Sequence, residues 1–372
     1  MECQYFGVCG SCTLYHLDYN RQIEQKKAYI ASMFNSLHVE NFEVFTSCSS
    51  HYRSRAEFRI WHTSEKISYA MHAKEGKGVV CIKECPKTTR AIYDLMEPLR
   101  LAIQENKDLS EKLYTIEFLA SNKHLLVTMI YHKAIDKTWE DSARELEKKF
   151  GIHIIGRSRG LKKVLSQDFI YQDVILSNRT CTYKIIEGGF SQPNAKINEN
   201  MICWVLSKLK NEKDLLELYC GYGNFTIALS QKFRSVLATE ISKVSIYSAI
   251  ENCAINNVKN IKFLRMSAEE LTSALNKERV FNRLKDISLD DYDFSHVFVD
   301  PPRSGIDENS LNFISRFETI VYISCNPATL KRDLEFLTLT HNIEDFALFD
   351  QFPYTEHIES GAILAKKKCS LL

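Results

Sequence analysis

The sequence predicts an α/β protein in which a Rossmann-like, doubly wound parallel sheet follows an inserted α+β region. From about residue 176, apolar runs typical of buried strands alternate with helical stretches, and these runs are LLELY, SVLATE, IKFLRM, HVFVD and TIVYISC. This alternation is the rhythm of βαβ units. Earlier in the chain, short β-rich runs such as AEFRIWH and HLLVTMIYH alternate with helical runs, which indicates a separate compact region.

The chain therefore divides into three predicted parts. Residues 1–40 hold three cysteines and an amphipathic helix, because the apolar positions of residues 13–36 are spaced three and four apart. Residues 41–175 form the central α+β domain. Residues 176–372 form the domain that contains the doubly wound sheet.

Composition excludes several classes of protein. The 372 residues are 45% hydrophobic and carry a net charge of +1, so there is no overall basic signature. No stretch approaches the roughly 18 apolar residues of a membrane span. The N-terminus lacks the charged start and apolar core of a signal peptide. We therefore expect a cytoplasmic protein without membrane contact, and we read its twelve cysteines as reduced thiols, metal ligands or catalytic groups.

Residues 214–225 (DLLELYCGYGNF) predict a strand, a Gly-x-Gly turn and the start of a helix. The glycines let the backbone pass close to a ligand, and the helix N-terminus offers free N–H groups. The next strand ends in Glu240, where an acid binds ribose hydroxyls in such folds. Phe225 and Thr226 follow where a pyrophosphate-binding loop has a third glycine. The pattern favours a nucleoside that carries an amino acid in place of phosphates, which is S-adenosylmethionine.

Two further strands end in residues that can carry chemistry. Residues 296–305 (HVFVDPPRSG) predict a strand that ends in Asp300, and two prolines then stiffen the loop. Residues 318–327 (ETIVYISCNP) predict a buried strand that delivers Cys325 to an Asn-Pro turn at the same sheet edge. Open α/β sheets bind ligands at this edge, and a thiol pKa can fall near a cation or a helix N-terminus.

A polar turn before the last predicted strand supplies possible acid/base groups. Glu356, His357 and Glu359 all lie in this turn, and spacing alone does not choose among them. The eleven histidines show no HExxH spacing, so the sequence contains no strong zinc motif of that kind.

These motifs, together with FSQPNAKINENM, LATEISK and LFDQFPYTEHIE, occur in an order that resembles the S-adenosylmethionine-dependent RNA uracil-5-methyltransferases. HYRSRAEFRIWH, MIYHKAIDKTWE and RVFNRLKDISL look specifically like the branch that methylates the T-loop uridine of tRNA, at position 54, to ribothymidine. The resemblance covers roughly residues 40–367. It implies a methyltransferase sheet, a central RNA-recognition domain and the T-arm of tRNA as partner.

The resemblance also implies roles for individual residues. Cys325 matches the nucleophile that adds to uracil C6, and Glu359 matches the base that removes the C5 proton. The cofactor-binding residues that match are Gln192, Tyr219, Asn224, Glu240 and Asp300. Of these, Gln192 matches a residue at the junction of cofactor and uracil. A non-catalytic RNA-binding protein with the same fold is the alternative from another class. We expect the protein to act as a monomer.

Residues 51–90 carry nine Lys and Arg against four Glu, which favours contact with RNA phosphates. Aromatic residues interleaved there could stack on unpaired bases, and these are Tyr52, Phe58, Trp61 and Tyr69. A second basic cluster consists of Arg157, Arg159, Lys162 and Lys163.

Cys3, Cys9, Cys12 and Cys85 resemble the 4Fe-4S site of the 23S ribosomal-RNA branch of the same family, where the fourth ligand also precedes proline. Four thiolates suit an iron–sulfur cluster or structural zinc, and we favour iron–sulfur, with Cys81 as a competing fourth ligand. This likeness makes uridine of ribosomal RNA the alternative substrate. The remaining cysteines outside the active site are expected to be core or incidental: Cys48, Cys181, Cys203, Cys220, Cys253 and Cys369.

Overall fold

The structure is a computed structural model that describes residues 1–209 and 213–368. It begins with helix α1 (Tyr19–Met33) and strand β1 (Glu43–Phe45). The Asp18 side chain caps α1 by accepting a hydrogen bond from the Arg21 N–H at 3.0 Å. Ile30 of α1 is fully buried in a core that it shares with the C-terminal domain, so the N-terminal segment packs on that domain.

The central domain is a seven-stranded sheet with helices on one face. Its strands are β2 (Arg55–His62), β3 (Ile67–His72), β4 (Val79–Ile82), β5 (Leu113–Ala120), β6 (Leu125–Tyr131), β7 (His153–Ser158) and β8 (Leu161–Val164). Its helices are α2 (Arg90–Glu105), α3 (Lys107–Ser110) and α4 (Lys137–Phe150). The strand order is β4-β3-β2-β5-β6-β7-β8, and only β6 and β7, which α4 connects, are parallel. Met96 of α2 and Trp139 of α4 are buried against one face of the sheet, which leaves part of the opposite face open.

A hairpin links the two large sheets. Strands β9 (Phe169–Ile175) and β10 (Thr180–Ile186) pair antiparallel and form a sheet of their own. Tyr183 of β10 is buried and donates a hydrogen bond to the Asn224 carbonyl, so the hairpin packs on the C-terminal domain.

The C-terminal domain contains an eight-stranded sheet between layers of helices. Its helices are α5 (Ala195–Lys208), α6 (Asn224–Leu229), α7 (Lys243–Ile255), α8 (Ala268–Leu275), α9 (Glu308–Ile314) and α10 (Pro327–Leu337). Besides β1, its strands are β11 (Asp214–Leu218), β12 (Val236–Thr239), β13 (Ile261–Leu264), β14 (Phe294–Val299), β15 (Thr319–Ser324), β16 (His341–Phe349) and β17 (Glu359–Lys366). The order β1-β16-β17-β15-β14-β11-β12-β13 confirms the predicted doubly wound α/β fold with a methyltransferase-like sheet.

One strand departs from the predicted parallel pattern and helps to build the site. Strands β11 to β15 run parallel, whereas β17 is antiparallel to both β15 and β16. The start of β17 therefore lies beside the end of β15, and Ser360 pairs with Ser324. Glu359 is the first residue of this strand rather than part of the preceding turn, and it comes close to Cys325 for this reason.

The pairing of strand β1 bears on the predicted domain boundary at residue 40. Strand β1 falls in the predicted central domain by number but pairs in parallel with β16 of the C-terminal sheet. The division into domains stays a prediction. Across the described residues, no helix combines the length and the apolar character that a membrane crossing demands.

Candidate active site

A cavity of about 710 Å³ opens at the carboxyl edge of the large sheet, where β11, β12, β14 and β15 end and β17 begins. Its lining includes all seven residues predicted for the cofactor and the chemistry: Gln192, Tyr219, Asn224, Glu240, Asp300, Cys325 and Glu359. The structure thus brings these side chains together, although they lie far apart in the sequence. Their individual roles remain predictions.

The Gly-x-Gly turn follows β11 and fixes the first wall of the cavity. Gly223 has a φ of 87°, a conformation that favours glycine, and it directly precedes α6. Asn224, the first residue of α6, exchanges two amide hydrogen bonds with Asn198 at 2.7 and 2.9 Å. The Tyr222 hydroxyl donates a third bond to Asn224 Oδ1, so the buried Asn224 amide has a fixed orientation.

Glu240 follows the end of β12, as predicted, and its carboxylate is held by the backbone. The Gly221 N–H donates to Glu240 Oε2 at 3.1 Å, and the Ser242 N–H donates to Glu240 Oε1 at 2.7 Å. Each oxygen retains a further lone pair. The carboxylate therefore presents a preoriented acceptor to a ligand hydroxyl in the cavity.

The loop after Asp300 is rigid for more reasons than its two prolines. Gly305 has a φ of 78°, and an added Cβ there would lie 2.8 Å from Asp333 Oδ2. Asp333 is fully buried and accepts from the Ile306 N–H at 3.1 Å and from the Tyr322 hydroxyl at 2.6 Å. This network joins the loop to β15 and α10, which places Asp300 beside Cys325.

Cys325 lies between β15 and α10, half-buried in the cavity wall. The Asn326 side chain caps α10 by accepting from the Ala328 N–H, and Pro327 is the first helical residue. Burial raises the pKa of the Cys325 thiol, and the nearby acids Glu359 and Asp300 raise it further. The positive charge of the Arg303 guanidinium opposes these effects on the pKa, so this arginine favours the thiolate.

Three carboxyl groups of the cavity have raised pKa values. Burial raises the pKa of Asp300 to about 7 and that of Glu217 to about 8. Burial also raises the pKa of Glu359 well above its ordinary value, and the charge of Asp300 adds to this effect. Such acids release protons readily when a cation enters, because the opposite charge stabilises their ionised forms. The cavity therefore fits a positively charged nucleoside such as S-adenosylmethionine, whose sulfonium and ammonium groups are cations.

Sequence reasoning missed two residues of this cavity. Glu217 is only 1% exposed and its Oε2 has no hydrogen-bond partner among the described residues, yet its position in the apolar run LLELY is itself a signal of a buried charge. Arg303 belongs to the quoted DPPR motif but received no role. The two alternatives to Glu359, namely Glu356 and His357, line a neighbouring cavity of about 610 Å³ that meets the first at Cys325 and Arg303.

The predicted RNA surface is partly wrong in its details. Tyr52, Phe58 and Tyr69 are buried, so these rings cannot stack on bases, and only Trp61 of the four is exposed, at 44%. The structure shows a different aromatic platform. The Tyr114 ring stacks on the ring of the exposed His132 with centroids 4.1 Å apart, and the guanidinium carbon of Arg59 lies 4.9 Å from the Tyr114 centroid.

The second basic cluster is largely neutralised within the protein. Arg157 pairs with Glu187 at 2.6 Å, Lys162 pairs with Asp168 at 2.6 Å, and Lys163 pairs with Glu140 at 2.7 Å. Arg159 is exposed and makes no ion pair with the residues that the structure describes. This cluster therefore offers less charge to RNA than its sequence suggests.

The four N-terminal cluster cysteines also meet, but around a much smaller space. Cys3, Cys9, Cys12 and Cys85 line a cavity of about 20 Å³, whereas Cys81 is exposed on β4 outside that lining. Such a volume holds about one water molecule. Within residues 1–209 and 213–368, no three His, Cys, Asp or Glu side chains are grouped so as to hold a metal ion. The donor chemistry suits a cluster, but the arrangement does not support the predicted 4Fe-4S site.

The other cysteines vary in their surroundings. Cys181 and Cys220 are buried, Cys203 and Cys253 are half-buried, and Cys48 is exposed. Cys369 lies outside the described residues.

Comparisons with known proteins identify the family of this chain. A sequence model described as "tRNA (Uracil-5-)-methyltransferase" matches residues 18–367. Two curated relatives named tRNA/tmRNA (uracil-C(5))-methyltransferase, from Sulfurimonas denitrificans and Aliarcobacter butzleri, are 50% and 51% identical to this chain. Each match covers 99% of this chain and 100% of the relative.

A solved structure shares the fold. It is the Pyrococcus abyssi tRNA (uracil-54, C5)-methyltransferase in complex with S-adenosyl-L-homocysteine, with a TM-score of 0.74 and 23% identity. The superposition covers 96% of this chain and 86% of that one. The match to the sequence model and the identity to full-length relatives lead to one conclusion: this chain belongs to the tRNA (uracil-5-)-methyltransferase family.

Proposed function

We propose that this protein transfers a methyl group from S-adenosylmethionine to C5 of the T-loop uridine of tRNA, at position 54. The observation that carries the proposal is the shared cavity in which Cys325, Glu359 and the five predicted cofactor residues meet. The names of the relatives support tRNA and tmRNA as substrates. They do not favour the alternative of 23S ribosomal RNA.

The residues of the cavity suit each step of C5 methylation. Uracil C5 is a poor nucleophile, so the Cys325 thiolate adds to C6 and moves electron density to C5 and O4. When bound, S-adenosylmethionine would supply the methyl group: its S–CH3 bond would break as the C5–CH3 bond forms, which leaves S-adenosylhomocysteine. Glu359 then takes the C5 proton, and the electron pair of the broken C5–H bond forms the C5=C6 double bond and expels Cys325 as a thiolate. Methylated uridine and S-adenosylhomocysteine leave, and one proton is released.

The raised pKa of Glu359 suits a base that must accept a proton from carbon near neutral pH. Arg303 supports the preceding step because its charge favours the Cys325 thiolate. The target uridine must leave its stacked position to enter the cavity, as in other enzymes that modify a base.

We place the RNA on the open face of the central sheet, where Arg59, Tyr114 and His132 form the aromatic platform. A flat cation–aromatic stack is suited to an unpaired base. Tyr114→Ala should raise KM for tRNA by roughly tenfold, since a stacked base contributes about 1–3 kcal/mol. The control is Tyr247→Ala, which removes an exposed tyrosine on α7. Trp139→Phe would be unsuitable, because Trp139 is buried in the core. An unchanged KM for tRNA in Tyr114→Ala would mean that the RNA binds another face of the protein.

The decisive experiment measures methyl transfer from labelled S-adenosylmethionine to paired transcripts. One transcript is an unmodified tRNA, and the other has cytidine at position 54. Label on the first alone supports the reaction, the substrate and the site together. A tmRNA transcript and a 23S ribosomal RNA fragment complete the set, and label on the ribosomal fragment alone would replace tRNA by ribosomal RNA in the proposal.

The cysteine cluster carries a separate proposal of metal binding, which rests on four thiols that gather around one cavity. Iron and zinc are measured in protein purified without oxygen. Iron with equimolar sulfide supports a cluster, zinc supports a structural ion, and the absence of both metals refutes the proposal. The role is structural in either case, because the methyl transfer described above needs no electrons.

A further inference from the structure

The loop between β16 and β17 is fastened to the N-terminal helix by a buried ion pair. Lys26 Nζ of α1 lies 2.6 Å from Asp350 Oδ1, and the two side chains are 3% and 1% exposed. The Tyr19 hydroxyl, also on α1, donates to Asp350 Oδ2 at 2.7 Å. Both carboxylate oxygens are thus engaged by one helix. Removing either partner of such a pair is costly, because the other charge stays buried, so the position of residue 350 is firmly set.

The next residue, Gln351, connects this anchor to the active-site cavity. Gln351 is fully buried, and its Nε2 donates a hydrogen bond to Gln192 Oε1 at 2.6 Å. Gln192 is buried except for the part that lines the cavity. The pair therefore transmits the position of α1 to a side chain that is predicted to lie at the junction of cofactor and uracil.

The direction of this amide–amide hydrogen bond has a physical reason. In the observed orientation, the atom left without a partner among the described residues is Gln351 Oε1, an acceptor. If both amides were turned around, Gln351 Nε2 would be the buried orphan instead. A buried N–H group without a partner is rarer in proteins than an under-used carbonyl oxygen. The observed direction is therefore the stable one.

This direction decides what Gln192 offers to a substrate. Its Oε1 is occupied by Gln351, and no hydrogen bond within the described residues engages its Nε2. Gln192 thus presents an N–H donor to the cavity. A pyrimidine carbonyl accepts such a bond, and the bond strengthens as the addition of Cys325 moves negative charge onto the uracil oxygen.

We propose that Gln351 is a positioning residue, which turns the Gln192 amide so that its N–H donates to a carbonyl oxygen of the target uracil. The Lys26–Asp350–Tyr19 contact holds Gln351 in place for this task. The inference rests on the proposed function and deepens it, since it names the residue that sets the donor polarity of the uracil site.

The test uses the Gln351→Glu variant and follows kcat for tRNA against pH. In its neutral form, the introduced carboxyl group donates its O–H to Gln192 Oε1, as the amide does. In its ionised form, the carboxylate can only accept, so Gln192 turns its Oε1 towards the cavity and opposes the uracil carbonyl. The ratio of variant to wild-type kcat should therefore fall by about tenfold or more between about pH 6 and about pH 9, since a buried carboxyl titrates in this range.

The ratio removes the titrations that both proteins share. The ionisable groups around this position include Asp350, Lys26 and Tyr19 at the anchor, with Asp300 and Glu359 at the cavity that Gln192 lines. Gln22→Glu is the matched control, because Gln22 is a buried glutamine of α1 whose Oε1 accepts from the Tyr354 N–H in the same loop but does not contact Gln192. Its ratio should not vary with pH.

If Gln351→Glu folds and its ratio of variant to wild-type kcat does not change with pH, the inference is wrong. If that variant does not fold, Gln351→Met replaces it and should lower kcat about tenfold while KM for S-adenosylmethionine stays within about twofold. An unchanged kcat in that variant also overturns the inference. The proposed function is tested separately in the same assay, because failure of the wild-type protein to methylate tRNA refutes the function, whereas an active wild type with a flat ratio refutes only the role of Gln351.

Discussion

Cysteines occupy two contrasting environments in this molecule, the active-site cavity and the N-terminal cluster. Cys325 lies in the wall of a cavity of about 710 Å³, among carboxyl groups and next to an arginine. The N-terminal cluster has four thiols around about 20 Å³, and burial raises the pKa of Cys12 to about 11. Cys325 has room beside it for a substrate, and the neighbouring arginine favours its reactive thiolate form. The space among the four cluster thiols is too small for a substrate.

The contrast between these two environments indicates that the number of thiols is a poor guide to the reactivity of a cysteine. A single cysteine at a strand end acquires its chemistry from the acids and the cation that the sheet brings beside it. A cluster of cysteines is inert, or binds a metal, when no substrate can enter. Substitutions at both kinds of site test this contrast.

Cys325→Ala should lower methyl transfer to tRNA by more than about 10³-fold, because no other group supplies the addition to C6. Binding of S-adenosylmethionine should persist, since the cofactor contacts remain. Steady-state kinetics and calorimetric titration measure the two properties. Cys48→Ala, at an exposed thiol, is the control and should retain full activity. Substantial activity in Cys325→Ala would remove the contrast between the two cysteine environments.

Glu359→Gln should lower turnover by about 10²–10⁴-fold, because the C5 proton then lacks its acceptor. The block falls after methyl transfer, so protein joined covalently to methylated RNA should accumulate. Denaturing gel electrophoresis with labelled S-adenosylmethionine detects this adduct. Glu356→Gln, in the neighbouring cavity, tests the assignment, and an adduct in that variant instead would transfer the role to Glu356.

Asp300→Asn should change stability in a pH-dependent way. The folded pKa of Asp300, about 7, lies above its ordinary value of 3.8. The stability that this neutral acid contributes is therefore full below about pH 4 and is lost as the pH rises through about 7. Because asparagine does not ionise, the Tm of the variant relative to wild type should be higher by a few degrees at about pH 8 than at about pH 5. A difference in Tm that is the same at both pH values would contradict the raised pKa.

Cys12→Ser should leave kcat within about twofold, since the cluster lies outside the reactive cavity, while Tm falls by a few degrees because a buried hydroxyl replaces a thiol. Thermal melting and the tRNA assay measure the two effects. A large loss of kcat at unchanged Tm would mean that the N-terminal cluster takes part in the reaction.

The strand-end residues could be predicted from sequence because parallel strands of a doubly wound sheet end at one edge. Asp300, Cys325 and Glu240 each follow an apolar run, and this local pattern places them. The approach of Glu359 could not be predicted, because it depends on the antiparallel direction of β17, which no local signal encodes. The family resemblance supplied that residue instead.

The aromatic residues show the limit of a regional argument. Tyr52, Phe58 and Tyr69 look like a stacking surface in the sequence, but strand alternation and packing direct them into the interior. The platform of Arg59, Tyr114 and His132 joins residues that are far apart in the sequence but lie on or beside neighbouring strands, so it became visible only when the strand pairing was known.

The ion pair between Lys26 and Asp350 joins one of the first helices of the chain to the loop before its last described strand. During synthesis, the lysine leaves the ribosome long before its aspartate does, and β17 with Glu359 follows later still. A nascent chain therefore carries Cys325, Asp300 and Arg303 before Glu359, the predicted proton acceptor, has been translated. The proposed reaction therefore requires the chain as far as β17, and a chain that ends before Glu359 should not methylate RNA.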